Sequence, residues 1–109
     1  MILAIDVGNT NIVLGCIDDG DIRSIVRIQT NPGETAAEYA IKLKQILEIY
    51  DISPRAFEGA IISSVVPPLT NSLKEAVRKL TGIECLVVGP GMRTGMNVRI
   101  DDPGTLAGD

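Results

Sequence analysis

The sequence predicts an α/β domain: a five-stranded mixed sheet with elements in the order βββαβαβ and helices flanking it. Three observations point there. Residues 2–28 hold three short apolar or alternating runs separated by polar turns. Residues 35–50 and 70–80 switch to helical spacing, and each stretch is followed by another short apolar run rich in β-branched residues. A meander followed by helical crossovers makes the later strands parallel and the sheet mixed. The 109 residues, 45% hydrophobic and 22% charged, suit one globular domain spanning 1–109. A chain of that length buries about two thirds of its unfolded surface. One Phe, two Tyr and no Trp leave an aliphatic core.

Taken in order, residues 2–7 form an aliphatic strand that closes on Asp6 and runs into the polar turn Gly8-Asn9-Thr10-Asn11. Residues 12–17 form the second strand. The following Asp18-Asp19-Gly20-Asp21 is a hairpin signal, because Asp-Gly tolerates positive φ. In residues 22–28, Ile22, Ser24, Val26 and Ile28 alternate with Arg23, Ile25 and Arg27, the mark of a strand with one wet face. Thr30-Asn31-Pro32-Gly33 breaks the sheet. A helix follows over 35–50, with Thr35 and Glu38 as a capping box and an apolar stripe of Ala36, Ala40, Leu43, Leu47 and Tyr50. The stretch from Asp51 to Pro54 ends that helix. Residues 59–66 form a fourth strand that Pro67-Pro68 stops. A second helix spans 70–80, with Leu69, Leu73, Val77 and Leu80 on one face and Gly82 beyond its end. Residues 84–88 are the fifth strand, 89–95 a loop with three glycines, 96–100 a short extended piece, and 101–109 a turn leading into a further helix.

Composition excludes several chemistries. With no histidine, the chain supplies no His triad, His metal site or His base. Cys16 and Cys85 are far apart inside apolar runs, which reads as buried free thiols and neither a zinc pattern nor a disulfide framework. The net charge is −4, and the ten basic residues are scattered, with Arg78-Lys79 the one adjacent pair. Nucleic acid is therefore not expected as a partner. The start lacks a basic n-region and no stretch approaches the length of a membrane span, so the expectation is a cytoplasmic protein with no membrane partner.

The chemically loaded segment is Asp6-Val7-Gly8-Asn9-Thr10-Asn11. A glycine at the strand end lets backbone N–H groups face an anion, with Asn9, Thr10 and Asn11 adding short polar groups. Asp6 would present a carboxylate where a phosphate-bound Mg²⁺ could be met. The other reading is a hairpin turn whose Asn and Thr satisfy their own backbone. That reading explains less well an acid inside an apolar strand, which is costly to bury unpaired. Other candidates carry less. Ser63 and Ser64 read as polar strand-end caps. Gly89-Pro90-Gly91 is followed by no lysine and fails the P-loop pattern, and Arg93 and Arg99 are solitary loop charges.

Asp6-Val7-Gly8-Asn9-Thr10-Asn11, with Gly15 beyond it, resembles the first phosphate motif of the sugar kinase, Hsp70 and actin superfamily, and more narrowly that of the type III pantothenate kinases. Three further stretches resemble the narrower family in order and spacing. They are Ile61-Ile62-Ser63-Ser64-Val65-Val66-Pro67, then Gly89-Pro90-Gly91 with Thr94-Gly95, and finally Asp102-Pro103 through Ala107-Gly108-Asp109. The departures are local. Ile100 stands where the family often has an aromatic pantothenate contact, Asp102 stands for an Asn, and Ala107-Gly108 reverses the family's Gly-Ala.

The resemblance implies a ribonuclease-H-like (actin-like ATPase) fold and transfer of the ATP γ-phosphoryl group to pantothenate, the first step toward coenzyme A. Residues from Asp6 through Ile12 and Val13 would hold the ATP phosphates, and Asp6 the Mg²⁺ ion. Asp109 matches the family's general base, and Ile100, Ala107 and Gly108 would line the pantothenate site. The resemblance also implies a monovalent cation (K⁺ or NH₄⁺) and a homodimer. Family members are roughly twice as long, with the site between two similar domains. On that basis residues 1–109 are expected to be an N-terminal half lacking the second phosphate motif and the adenosine pocket, and to be inactive alone. Two alternatives stand beside this: an accessory transcriptional regulator or binding module of the same family, and another kinase or ATPase of the superfamily. The absence of a helix-turn-helix argues against direct DNA contact.

Overall fold

The computed structural model describes residues 1–89; the expectations placed on the loop beyond Gly89, on 96–100 and on 101–109 lie outside them. Strands β1 (Ile2–Val7), β2 (Asn11–Asp18) and β3 (Asp21–Gln29) form the meander. Helix α1 (Ala36–Ile49), a 3₁₀ turn (Pro54–Ala56), β4 (Gly59–Ser64), α2 (Pro67–Thr81) and β5 (Leu86–Val88) follow. The sheet order is β3-β2-β1-β4-β5. β1 pairs antiparallel with β2 and β2 with β3, while β4 lies parallel to both β1 and β5. The expected mixed sheet and element order are what the chain forms.

Each element has a local cause. Asp19 and Gly20 turn the β2–β3 hairpin at φ 55° and 83°. The β2–β3 register shifts between Leu14 and Gly15. A Cβ on Gly15 would stand 2.8 Å from the Arg23 carbonyl oxygen, so the bulge brings the two backbones too close for any side chain. The capping box of α1 is complete: the Glu38 N–H donates to Thr35 Oγ1 (3.2 Å), and the Thr35 N–H donates to Glu38 Oε1 (2.8 Å).

The buried stripe of α1 is Tyr39, Leu43, Ile46 and Leu47: Leu43 and Leu47 are where spacing puts them, with Ala40 packed beside the core, whereas Tyr39 and Ile46 replace Ala36 and Tyr50. Ala36 is half-buried and Tyr50 is 49% exposed, because Tyr50 caps the helix where the chain turns away through Asp51 at φ 56°. Tyr39 is fully buried, with its hydroxyl donating to the Asn31 carbonyl (3.0 Å) and accepting from the Asn31 N–H (3.3 Å). That pair of bonds lets a phenol sit in the core.

Pro67-Pro68 ends β4 but also begins α2, three residues earlier than spacing suggests. A proline at the first helical position lacks only an N–H that has no partner there. β4 stops at Ser64, whose hydroxyl accepts from the Val66 N–H (3.0 Å) and donates to the Val66 carbonyl (3.1 Å), bending the chain into the helix. Helix α2 buries Leu69, Leu73, Ala76 and Val77 and closes on Gly82 at φ 80°.

Leu3, Ile5 and Val7 of β1, with Ile12, Leu14, Ala60 and Ile62 of its neighbours, share one core cluster with the two helices. Alternation sends the intervening residues to the opposite face. There the register sets Arg27, Val13, Asp6, Ser63 and Val88 side by side in one row across all five strands. Cys16 and Cys85 are free and buried, as expected.

Candidate phosphate-binding site

The turn from Gly8 to Asn11 sits where β1 runs out, at the carboxyl end of the parallel strands, the edge at which open α/β sheets bind ligands. The Gly8 N–H donates to the Asn11 carbonyl (2.9 Å), so this amide is spent inside the turn and does not point outward as the sequence suggests. Gly8 does not take positive φ. Its value is space, since a Cβ there would stand 3.2 Å from Asn11 O. The N–H groups of Asn9 and Thr10 donate to none of the described residues, and both residues are exposed. These two amides are the donors the turn can offer an anion.

The turn is held from outside itself. Thr30, just past β3, donates its hydroxyl to the Gly8 carbonyl (2.8 Å) and its N–H to the Thr10 carbonyl (2.9 Å). On the other flank, the Val65 N–H donates to the Val7 carbonyl (3.0 Å). The turn is thus pinned between the ends of β3 and β4.

A cleft of about 420 Å³ opens beside the turn, lined by Asp6, Gly8, Asn9, Thr10, Asn11, Val13, Arg27 and Val65. Six of these are sequence-anticipated site residues. Val7 and Ile12, also anticipated, turn their side chains into the core, where both are fully buried, and border the turn through backbone alone. Ile100, Ala107, Gly108 and Asp109 lie outside the described residues.

Sequence reasoning missed Arg27, Thr30 and Val65. Arg27 reads as one charge of an alternating strand, and it becomes a cleft residue only once its register with Val13, and Val13's with Asp6, is known. Of the serines, Ser64 is the expected strand-end cap. Ser63, next to Asp6, is fully buried, and its hydroxyl has no hydrogen-bond partner among the described residues.

Among the described residues, Asp6 and Arg27 are the charged ones of the cleft lining. One Oδ of Asp6 is out of solvent, although the residue as a whole is half-buried at the cleft wall. Among the described residues no three acids or thiols cluster around a point that would hold a metal ion. A single carboxylate beside two amides that could meet an anion fits Mg²⁺, which keeps several waters and takes its other ligands from phosphate oxygens.

The sequence pattern of the type III pantothenate kinases matches residues 2–109. A type III pantothenate kinase of Bifidobacterium animalis subsp. lactis is 43% identical over 109 residues, all of this chain and 43% of that protein. The chain thus spans under half the length of such relatives. Among solved structures, the ROK hexokinase of Thermus thermophilus superposes with a TM-score of 0.61 at 15% identity, over 88% of this chain and 37% of the hexokinase. RuvC of T. thermophilus, solved with a Holliday junction, gives 0.51 at 17% identity over 88% of this chain and 68% of its own. Such distant likenesses to a sugar kinase and a junction-binding protein establish the fold alone. The match of the family's sequence pattern over residues 2–109 establishes more: the chain belongs to the type III pantothenate kinase family.

Proposed function

We propose that residues 1–109 form the N-terminal, phosphate-binding domain of an enzyme that transfers the γ-phosphoryl group of ATP to the primary hydroxyl of pantothenate, giving 4′-phosphopantothenate. The observation that carries this reading is the pinned turn at the cleft, where the Asn9 and Thr10 amides donate to none of the described residues and share the lining with Asp6, in a chain matched to the family over residues 2–109.

Phosphoryl transfer needs positioning and charge compensation more than covalent chemistry from the protein. The Asn9 and Thr10 amides would hold phosphate oxygens, and the side chains of Asn9, Thr10 and Asn11 would orient them. Mg²⁺ carried on the phosphates supplies charge neutralisation when bound, and Asp6 would hold it through water. Asp109, by family resemblance, would take the proton of the attacking hydroxyl, with Ala107, Gly108 and Ile100 around the substrate. The monovalent cation, the homodimer and the cytoplasmic location rest on that resemblance too. For location, the structure adds that no helix among the described residues is long and apolar enough to cross a membrane.

The test joins this chain to the C-terminal remainder of the B. animalis relative and couples ADP release to a spectrophotometric readout. Pantothenate-dependent turnover is expected. Asp109→Asn should lower kcat by about 10²–10⁴-fold with substrate binding kept. Asp6→Asn should change the Mg²⁺ requirement for ATP use. If Asp6→Asn left the Mg²⁺ and ATP dependence unmoved, the phosphate site would have to be placed elsewhere.

A further inference from the structure

We propose that Arg27 is an anion-binding residue of this site, its guanidinium engaging the polyphosphate chain from the side opposite Asp6. The inference rests on the phosphate-site reading above and adds to it the cation that the reading lacks.

Three observations carry it. First, among the described residues Arg27 is the one cation of the cleft lining, and the other charge there is a carboxylate. A cleft offering a polyphosphate only amides and a carboxylate would meet its charge poorly; a guanidinium supplies donors that match phosphate oxygens two at a time. Second, Arg27 is exposed, and among the described residues it enters no ion pair. It sits two strands from Asp6, beyond Val13 in the same row. At the usual strand spacing, β1 and β3 are about 9–10 Å apart, room for a phosphate chain to lie between the two side chains over Val13. Third, Arg27 is held in register with the turn. Thr30, on the same segment, grips the Gly8 and Thr10 carbonyls, so the guanidinium and the Asn9 and Thr10 amides flank one end of the sheet. Val13, half-buried and apolar between the two charges, keeps the floor of the cleft from competing for either.

Neighbouring charges do not offer the same role. Arg23, on the same strand, pairs in register with Cys16, toward the far end of β3 and outside the cleft. Lys42 is engaged by Glu34 at 2.6 Å. The hollow lined by Asn71, Lys74, Glu75, Arg78 and Glu84, between α2 and the segment after it, balances two acids against two bases.

The experiment titrates the 109-residue chain with tripolyphosphate at low ionic strength, following amide chemical shifts and heat, and repeats the series with pantothenate. The wild-type chain is expected to bind tripolyphosphate with shifts at Asn9 and Thr10. Arg27→Gln should weaken that binding about tenfold, the size of one charge-assisted contact. The weakened variant should still shift Asn9 and Thr10. Arg27→Lys should recover part of the affinity, and Arg23→Gln should change nothing. Equal thermal midpoints for Arg27→Gln and wild type would show that folding is not the cause. If Arg27→Gln bound tripolyphosphate as tightly as wild type, the inference would be overturned while the phosphate-site reading stood. A loss confined to pantothenate would overturn it as well, since the cation would then serve a carboxylate. Absence of tripolyphosphate binding by the wild-type chain would overturn both.

Discussion

Thr30 shows how a single side chain outside a motif can set the motif's shape. Its hydroxyl is bonded to the Gly8 carbonyl at 2.8 Å, while its N–H holds the Thr10 carbonyl. Thr30→Val keeps the size and the backbone bond but removes the hydroxyl, so the loss should be about 1 kcal/mol of stability, measured by urea unfolding. Tripolyphosphate affinity should fall with it, since the turn that carries the Asn9 and Thr10 amides loses one of the three bonds that hold it from outside. Cys85 makes a second residue-scale test. Burial pushes its thiol from 9.0 up to about 11, with Glu84 adding to the rise and Lys74 opposing it. Because the folded value lies above the unfolded one, the native state keeps the proton that the unfolded chain gives up. The stability this contributes is complete below pH 9 and is lost as pH climbs toward about 11. The stability difference between wild type and Cys85→Ala should therefore shrink across that interval and stay constant beneath it. Below pH 9 the same thiol should resist alkylation in the folded chain and react freely in urea.

At the scale of elements, the N-terminus of α1 rests on two reciprocal bonds between Thr35 and Glu38. Thr35→Ala removes one of them and should cost about 1 kcal/mol, read from the shift in the denaturation midpoint. A thermal midpoint indistinguishable from wild type would mean that packing of Tyr39 and Leu43 alone sets where the helix begins. The capping box was legible in the sequence because it is a local pattern, and so were the Asp19-Gly20 hairpin and the helical face of Leu69, Leu73 and Val77. Features that depend on a distant partner were not. Tyr39 is buried because Asn31 can satisfy its hydroxyl, and no helical periodicity contains that fact. Pro67-Pro68 reads equally well as the end of a strand and the start of a helix, and the fold uses it as both. The candidate site divides the same way. Asp6 through Asn11 form a contiguous string readable as a phosphate turn, whereas Arg27 and Val65 join them only through strand pairing and main-chain bonds.

For the molecule as a whole, the chain matches relatives over 43% of their length, and the cleft beside the turn lies on the face of the sheet away from its core. These 109 residues alone are accordingly expected to bind polyphosphate but to show no pantothenate-dependent ATP turnover in the coupled assay. Turnover near that of a full-length relative would mean that one domain suffices for the chemistry. The place of β1 in the sheet also has a consequence for how the molecule is made. β1 is synthesised before the other four strands described, yet lies in the middle, flanked by β2 and β4. On the ribosome its hairpin partner follows at once, but its other edge must wait for residues 59–64. At translation speeds of about 5–20 residues per second, that apolar edge stays open for roughly three to eleven seconds, long enough to recruit a neighbouring nascent chain or a chaperone. Ribosome-bound chains arrested once α1 has emerged should therefore crosslink to a hydrophobe-binding chaperone, and chains arrested after β4 and α2 have emerged should have let it go. Codon choice across α1 would then govern how often a polysome yields folded protein.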